Sequence, residues 1–467
     1  MKRQNKRYHQ HLYSHKLYLL QKMIDNNLEE KNIIAESRTL LKLLNQYPVI
    51  LNKVKKQKSF VNIFVSFKDY CPALANKTYF NFGGQGPLPT PSLEAMVKSW
   101  HRIQELGPFT TDVWPFISSE TNHTRGLLAR ICGVAPHRLA LSENVTSGCV
   151  LPLWGLPFKA GDRILISDCE HPGVVAACHE LARREQLAID NLPVQELRRG
   201  CEEQGDTDAN VIRALEQSLQ PRTKLVVLSH LLWNTGQLMP IAAVADHLRD
   251  HPQHPYLLVD AAQTMGQIPV KEAAQAADIY AFTGHKWACG PEGLGGVALS
   301  DRILNEANPT MIGWRSLRDE TRAILNDPDP FHHDSRRFEI ATSCVPLMAG
   351  LRQSLNLLAD EGRAEERLQT IQRLSSQLWR QLNELPGTTP LLAGEPPAGL
   401  VSFKLSSEST RSTAEIVEIL GSKGIWIRNL EEPICLRACT HITTEEQELS
   451  RLINALRELT TTASSST

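Results

Sequence analysis

The sequence predicts an α/β protein, a helix-covered and mainly parallel sheet followed by a smaller α+β unit, and three observations carry that prediction. From about residue 77 to residue 343, short β-branched or aliphatic runs alternate with longer helical stretches, the signature of βαβ units. Several of these runs end on a polar residue and open into a helix or a glycine turn, as strands do where a parallel sheet faces a ligand. Beyond about residue 385 the order changes to short strands and helices of a separate, smaller unit.

Taken in order, residues 1–70 read as an appendage: basic at the start, rich in His and Tyr, then LLKLLNQYPVILNKVKKQKSF with loosely helical apolar spacing. Acidic residues are missing before Asp25, as in a targeting presequence, but Ser and Ala are sparse, so an upstream extension or a mis-called start codon fits better. Residues 71–345 form the large unit, whose first segment also contributes to the small one. Strands are expected at 138–141, 163–166, 224–228, 256–259, 279–282 and 294–299, with VVAACHELARREQ and IAAVADHLRD as helices between them. Residues 346–460 form the small unit: helix to about residue 385, turns around AGEPPAG, then VSFKL, a helix, GIWIRNL, ICLRA and a final helix ending near residue 459. The tail, 461–467, is too polar and small to pack.

Composition narrows the function. Lys and Arg number 50 against 51 Asp and Glu, which gives no electrostatic footprint for nucleic acid or an anionic membrane and suits small neutral or zwitterionic ligands. The ten cysteines are scattered without a Cys-x-x-Cys pair, and no run of about 18 apolar residues occurs, so reduced thiols and a cytoplasmic location are expected. No metal is expected: His332 with His333, His9 with His11 and His251 with His254 lack ligand partners nearby in sequence.

The chemistry concentrates at five strand ends. In FTGHKWACGPEGLGG a strand runs into Thr283, His285 and Lys286, with glycines behind that let backbone approach a ligand. Alone, this lysine is as well explained as a solvated one. In YLLVDAAQTMG an almost wholly apolar strand ends in Asp260, followed by Gln263; a carboxylate there either caps a turn or meets a buried cation. LALSENVTSG places Val145 and Thr146 after a third strand, at a helix start suited to a phosphate, RILISDCEHPG places His171 after a fourth, and KLVVLSHLLWNTG places Asn234 after a fifth.

NFGGQGPLP, EHPG, NTG, VDAAQ, TGHK, RRFEIATS and LRACTHITTEEQELSRL stand in the order and spacing of one family. From about residue 79 to residue 459 the chain resembles the class V aminotransferases, the group of the cysteine desulfurases, and within it the cyanobacterial-type L-cysteine/cystine lyases. The resemblance implies the fold type I architecture of pyridoxal-phosphate-dependent transferases and a pyridoxal 5'-phosphate cofactor tethered to Lys286 as a Schiff base. It implies that Asp260 pairs with the ring nitrogen, Gln263 with the ring hydroxyl, and His171 stacks on the ring. Thr146 (beside Val145), Thr283 and His285 match phosphate positions, and Asn234 matches a residue near the ring hydroxyl and the substrate. Thr342 matches a threonine that reaches the partner subunit's phosphate, which implies a homodimer with shared active sites. Arg437, with Arg428 as helper, matches the arginine that holds a substrate carboxylate, a task suited to a planar guanidinium. Gly84, with Gly83, suits backbone approach to a substrate and a tight turn equally well, and Gln85, Trp287 and Trp314 are expected as pocket residues.

Cysteine desulfurases add a mobile nucleophilic cysteine to this scaffold. Here the corresponding stretch, RNLEEPICLRA, is short and offers only Cys435 in an expected strand. The sequence therefore favours β-elimination on L-cystine, L-cysteine or a related sulfur amino acid, giving pyruvate, ammonia and a (per)sulfide that an acceptor protein could take. A desulfurase, a transaminase or an epimerase of the same group, and a silent scaffold, are the alternatives; Gln85, Trp287 and Trp314 do not by themselves name a substrate.

Overall fold

The computed structural model describes residues 66–199, 207–324, 328–406 and 411–461. The chain divides into two units, 1–69 and 70–467. Of the first only 66–69 are described, so the expected appendage lies almost wholly outside the described residues, as does the tail from 462.

A two-residue strand β1 (Thr78–Tyr79) precedes helices α1 (Thr90–Leu106) and α2 (Val113–Cys132). Strands and helices then alternate: β2 (Leu139–Ser142), α3 (Val145–Leu153), β3 (Arg163–Ser167), α4 (Pro172–Glu185), β4 (Ala188–Leu192), α5 (Thr207–Ser218), β5 (Thr223–Ser229), α6 (Ile241–Asp250), β6 (Tyr256–Asp260), α7 (Lys271–Ala276), β7 (Ile279–Thr283) and β8 (Gly295–Leu299). These strands make one seven-stranded sheet in the order β2-β8-β7-β6-β5-β3-β4. All run parallel except β8, which is antiparallel to both β2 and β7. The central strands β5 to β8 are almost wholly buried, as strands covered on both faces must be, and their near-continuous apolar sequences follow from that. Every expected strand is present within about two residues. The edge strand β4, AIDNL, escaped the sequence because its Ala, Asp and Asn are poor strand formers and its side chains are half exposed.

Short helices α8 (Asp301–Glu306) and α9 (Glu320–Ile324) lead to α10 (Val345–Asp360), which lies on α1 and α2, its Ser354 hydroxyl 2.7 Å from that of Ser92. The remaining elements are α11 (Ala364–Glu384), β9 (Thr388–Pro390), β10 (Leu400–Leu405), α12 (Thr413–Ser422), β11 (Ile425–Trp426), β12 (Arg428–Glu431), β13 (Ile434–Cys439) and α13 (Glu446–Thr461). They build an antiparallel sheet, β12-β13-β10-β9, and β1 returns from the start of the unit to pair with β11. Leu374, Leu378, Ile416, Leu420, Leu452 and Leu456 from three helices meet Phe403, Leu436 and Ala438 of this sheet in a second apolar core. Because strand side chains alternate, Leu436 and Ala438 enter that core while Cys435, Arg437 and Cys439 take the opposite face.

Candidate active site

Sheet register decides which polar side chains meet. Ser229 at the end of β5 pairs with Asp260 at the end of β6, and Asp260 with Ala281 of β7, so that Thr283 and then Lys286 emerge just beyond the same edge. Asp260 is 4% exposed and its Oδ1 accepts a hydrogen bond from the Ala262 amide at 2.8 Å, so the turn-cap account holds as far as it goes. Burial pushes its carboxyl upward in pKa, opposed by that amide and by the charges of Lys286 and His171. Burial brings the Lys286 ammonium down to about 8; Asp260 opposes this, and Arg437 and Arg428 add to it. A lysine so placed is partly a free amine near neutral pH, as base or nucleophile chemistry requires.

The NFGGQG loop closes on this lysine. Gly86 donates to the His285 carbonyl at 2.8 Å, and a Cβ there would lie 2.2 Å from the Lys286 carbonyl, so the approach needs glycine. The hydroxyl of Thr283 stands 2.8 Å from His285 Nδ1, and burial together with Lys286 keeps His285 below the ordinary imidazole pKa. Asn144 caps α3, accepting from the Ser147 amide at 2.9 Å, which leaves Val145 and Thr146 in a first turn whose amides lack intrahelical acceptors. Further along α3, buried Cys149 feels the charges of Asp260 and Glu170, which places this helix over the same strand ends.

His171 is the N-cap of α4, its Nδ1 accepting from Gly173 at 3.2 Å, and its ring meets Trp233 edge to face at 5.7 Å. Burial lowers its pKa, while Asp260 raises it and Lys286 and Arg428 lower it further, so the loop histidine also faces the lysine. Gln263 is oriented from both ends: Nε2 donates to the Gly83 carbonyl at 3.0 Å, and Oε1 accepts from Trp287 Nε1 at 2.9 Å. Trp287 is fully buried and stacks near Phe82, so it supports Gln263 from behind and does not line the pocket. Asn234 donates to the Glu432 carbonyl at 3.2 Å, accepts from the Thr235 amide at 2.9 Å, and its carbonyl accepts from Ser402 at 2.6 Å, tying the large sheet to the β12–β13 hairpin.

Arg437 comes from that second sheet. It is 1% exposed, and its Nη1 donates to the Trp233 carbonyl at 2.7 Å. Among the described residues no oxygen or nitrogen accepts from Nε or Nη2. Burial holds its pKa below the usual guanidinium range. Arg428, its register partner on β12, is exposed. Gln85 is turned toward Glu292, to which it donates, and Gly84 packs against Asn81. Thr342 is exposed beyond a tightly held segment in which buried Glu339 pairs with Arg125 and accepts from the Leu141 amide at 2.9 Å. Trp314 is also exposed, and Gln85 belongs to the loop that closes on Lys286, with its side chain turned away to Glu292.

Two residues of the site escaped the sequence. Glu170 is buried beneath His171, accepting from Ser167 Oγ at 2.6 Å and from Ser229 N and Oγ at 2.7 Å each; burial, aided by Asp260, raises its pKa to about 7. An acid immediately before a strand-end histidine is the signal that points to it. Cys439 shares its strand face with Arg437, and the two-residue spacing in LRAC is the signal there.

The donor set fits a phosphorylated pyridine aldehyde: a buried carboxylate for a protonated ring nitrogen, an amine of lowered pKa for the carbonyl carbon, and a capped helix start beside Thr283 and His285 for the phosphate. No group of three or more His, Cys, Asp or Glu side chains placed to hold a metal occurs among the described residues, and no helix among them is long and apolar enough to cross a membrane.

Comparison with known proteins agrees with that fit. The structure of the cystine C-S lyase C-DES with its reaction product cysteine persulfide is 41% identical, covers 83% of this chain and 99% of its own, and superposes with a TM-score of 0.77. A C-DES variant with glycine covalently linked to its PLP cofactor is 40% identical over 85% of this chain and 100% of its own, at a TM-score of 0.78. Isopenicillin N epimerase of Streptomyces clavuligerus is 28% identical over 81% of this chain and 94% of the relative. The aminotransferase class-V family profile matches residues 118–452, so this chain belongs to the class V aminotransferases and is a pyridoxal-phosphate-dependent enzyme of fold type I.

Proposed function

We propose that the enzyme cleaves the carbon–sulfur bond of L-cystine, L-cysteine or a related sulfur amino acid by β-elimination. The observation that carries this reading is the β12–β13 hairpin: Glu431 pairs with Ile434 across a two-residue turn, and Cys435 is fully buried in β13 with its thiol pKa pushed up to about 11 by burial. A thiol so held is neither mobile nor ionised, and so is unsuited to attack a substrate sulfur. The likeness to the cystine lyase C-DES supports the same reading.

In this reading Arg437 takes the substrate carboxylate on its Nε and Nη2, fixing which Cα bond stands across the ring. Asp260 holds a proton at the ring nitrogen, Gln263 and Asn234 border the ring hydroxyl, and His171 covers the ring. Val145, Thr146, Thr283 and His285 receive the phosphate. When bound, pyridoxal phosphate supplies the sink for charge that develops at Cα. Lys286 would hold the cofactor's carbonyl carbon until the substrate amino group displaces it, and its freed Nζ would then accept the Cα proton. The β-sulfur departs with its bonding pair, and with water cystine yields pyruvate, ammonia and cysteine persulfide.

Incubation of cofactor-loaded enzyme with L-cystine is expected to release pyruvate and a low-molecular-weight persulfide in equal amounts. Alanine formed together with a persulfide on the protein would establish a desulfurase instead. The similarity to isopenicillin N epimerase over most of the chain favours one second reading, reversible Cα proton transfer. Its mark is solvent deuterium appearing at Cα of recovered amino acid without pyruvate.

A homodimer with shared sites is supported by an exposed aromatic run, Phe109 against Trp114 at 5.4 Å and Trp114 against Trp314 at 6.3 Å, and by Thr342 at the surface. A cytoplasmic location is supported by the nine described cysteines, all free thiols. A sulfur-acceptor protein belongs to this proposal only as the consumer of the persulfide.

A further inference from the structure

We propose that Cys439 is a positioning residue of the Arg437 site: its thiol lies beside the guanidinium, steadies it without neutralising it, and is open to alkylation by small carboxylate-bearing reagents that Arg437 draws in. The proposal rests on reading Arg437 as the carboxylate-binding arginine. It does not depend on which reaction follows.

The geometry comes from one strand and one loop. Cys435, Arg437 and Cys439 alternate onto a single face of β13, opposite the apolar core, so two thiols flank the guanidinium. A Cβ on Gly83 would lie 2.9 Å from Arg437 Nη2, 3.0 Å from its Cζ and 3.1 Å from Cys439 Sγ. Guanidinium and thiol therefore stand side by side against bare backbone, and the Gly83 amide bonds toward the sulfur. Lys286 acts electrostatically on Cys439, whereas Arg437, Lys404 and Arg198 are the charges that act on Cys435. Cys439 is thus the thiol on the lysine side.

The energetics explain why a thiol is useful at that position. A buried guanidinium with no acid beside it is an uncompensated charge, and among the described residues no Asp or Glu pairs with Arg437. A carboxylate at position 439 would remove that cost and also occupy the cation. A thiol is only a weak acceptor, and burial raises its pKa, so it holds the fork in place and leaves the charge to a ligand.

The test is alkylation of the cofactor-loaded enzyme, with each cysteine followed by peptide mass spectrometry. The thiol proton goes to solvent, the small thiolate fraction that Arg437, Lys286 and the Gly83 amide favour against burial attacks the methylene carbon of a reagent that has come to it, the S–C bond forms, and iodide leaves with the C–I pair. Iodoacetate is expected to modify Cys439 about tenfold faster than neutral iodoacetamide, because an anion is drawn to the buried cation. Exposed Cys344 should show no preference for the anion. L-Alanine, as a competing amino-acid carboxylate, should slow labelling of Cys439 and not of Cys344, and Arg437→Gln should abolish the preference. Equal reagent preference at the two cysteines, or no labelling of Cys439 by either reagent, overturns the proposal. In turnover, Cys439→Val is expected to raise KM about tenfold with kcat within about twofold, and Cys439→Ser to restore at least half of that loss. A thiol that served only to pack would change stability without that split. The labelling needs no turnover, so an enzyme that fails as a lyase leaves this test intact.

Discussion

At the ends of β3, β5, β6 and β7 the polar side chains are held by the fold itself, whereas on β13 an oxygen meets only one of the three nitrogens of the central guanidinium among the described residues. Asp260 has a backbone amide, Gln263 is fixed at both ends, Thr283 and His285 hold each other, and Glu170 accepts three hydrogen bonds. Among the described residues, the Trp233 carbonyl is the only oxygen that accepts from Arg437, beside the weakly accepting thiol of Cys439. The difference follows from what each side meets. A permanent cofactor rewards a preorganised cradle, because its geometry never changes. A substrate that must arrive and leave is better met by a charge whose desolvation is already complete and whose acceptors come with the ligand.

That contrast is broken most severely on the cofactor side. Asp260→Ala removes a buried acid and leaves Lys286 and any ring cation without their partner, which costs a loss of cofactor affinity on the order of 1000-fold. Equilibrium titration of the apo variant with pyridoxal phosphate, followed by its visible absorption, measures it; affinity within about tenfold of the parent would contradict the role given to Asp260. On the substrate side, Arg437→Gln loses a charge-assisted fork while the cradle stays intact, so KM for L-cystine should rise about 100-fold at nearly unchanged cofactor affinity. If cofactor affinity fell as far as substrate affinity, the two sides would not be separable.

The cradle was legible in the sequence because each of its members sits at the end of an apolar run, and a polar residue there has few explanations. Asp260, Thr283 and Lys286 were found that way, although Asp260 proved to be a turn cap and a charge partner at once. The substrate side was legible only in part. Arg437 came from resemblance, while the place of its thiol neighbour Cys439 depends on how Gly83 from the start of the unit meets β13, a contact between residues more than 350 positions apart. Trp287 was misread as a possible pocket residue because a tryptophan after a key lysine carries no sign of which way it faces; it is fully buried. Glu170 was passed over because an acid in a loop is ordinarily solvated.

Glu170 also gives the smallest test of the contrast, and one that needs no substrate. Its carboxyl titrates at about 7, above the ordinary glutamate value of 4.5, because burial and the neighbouring Asp260 disfavour its charge against the pull of Ser167 and Ser229. The folded state therefore holds this proton more tightly than the unfolded chain. The stability it contributes is complete below pH 4.5 and is lost as pH rises to about 7, with little further change above. The loss is on the order of 3 kcal/mol. Glu170→Gln keeps an acceptor for the Ser229 amide and has no proton to lose, so the gap in melting temperature between variant and parent should move in the variant's favour by a few degrees from pH 5 to pH 8. Thermal unfolding of both proteins across that range measures the gap. Parallel curves would mean that Glu170 is already ionised in the folded protein. The cradle would then hold a second buried carboxylate beside Asp260, its charge met by three hydrogen bonds where the guanidinium across the site meets one oxygen.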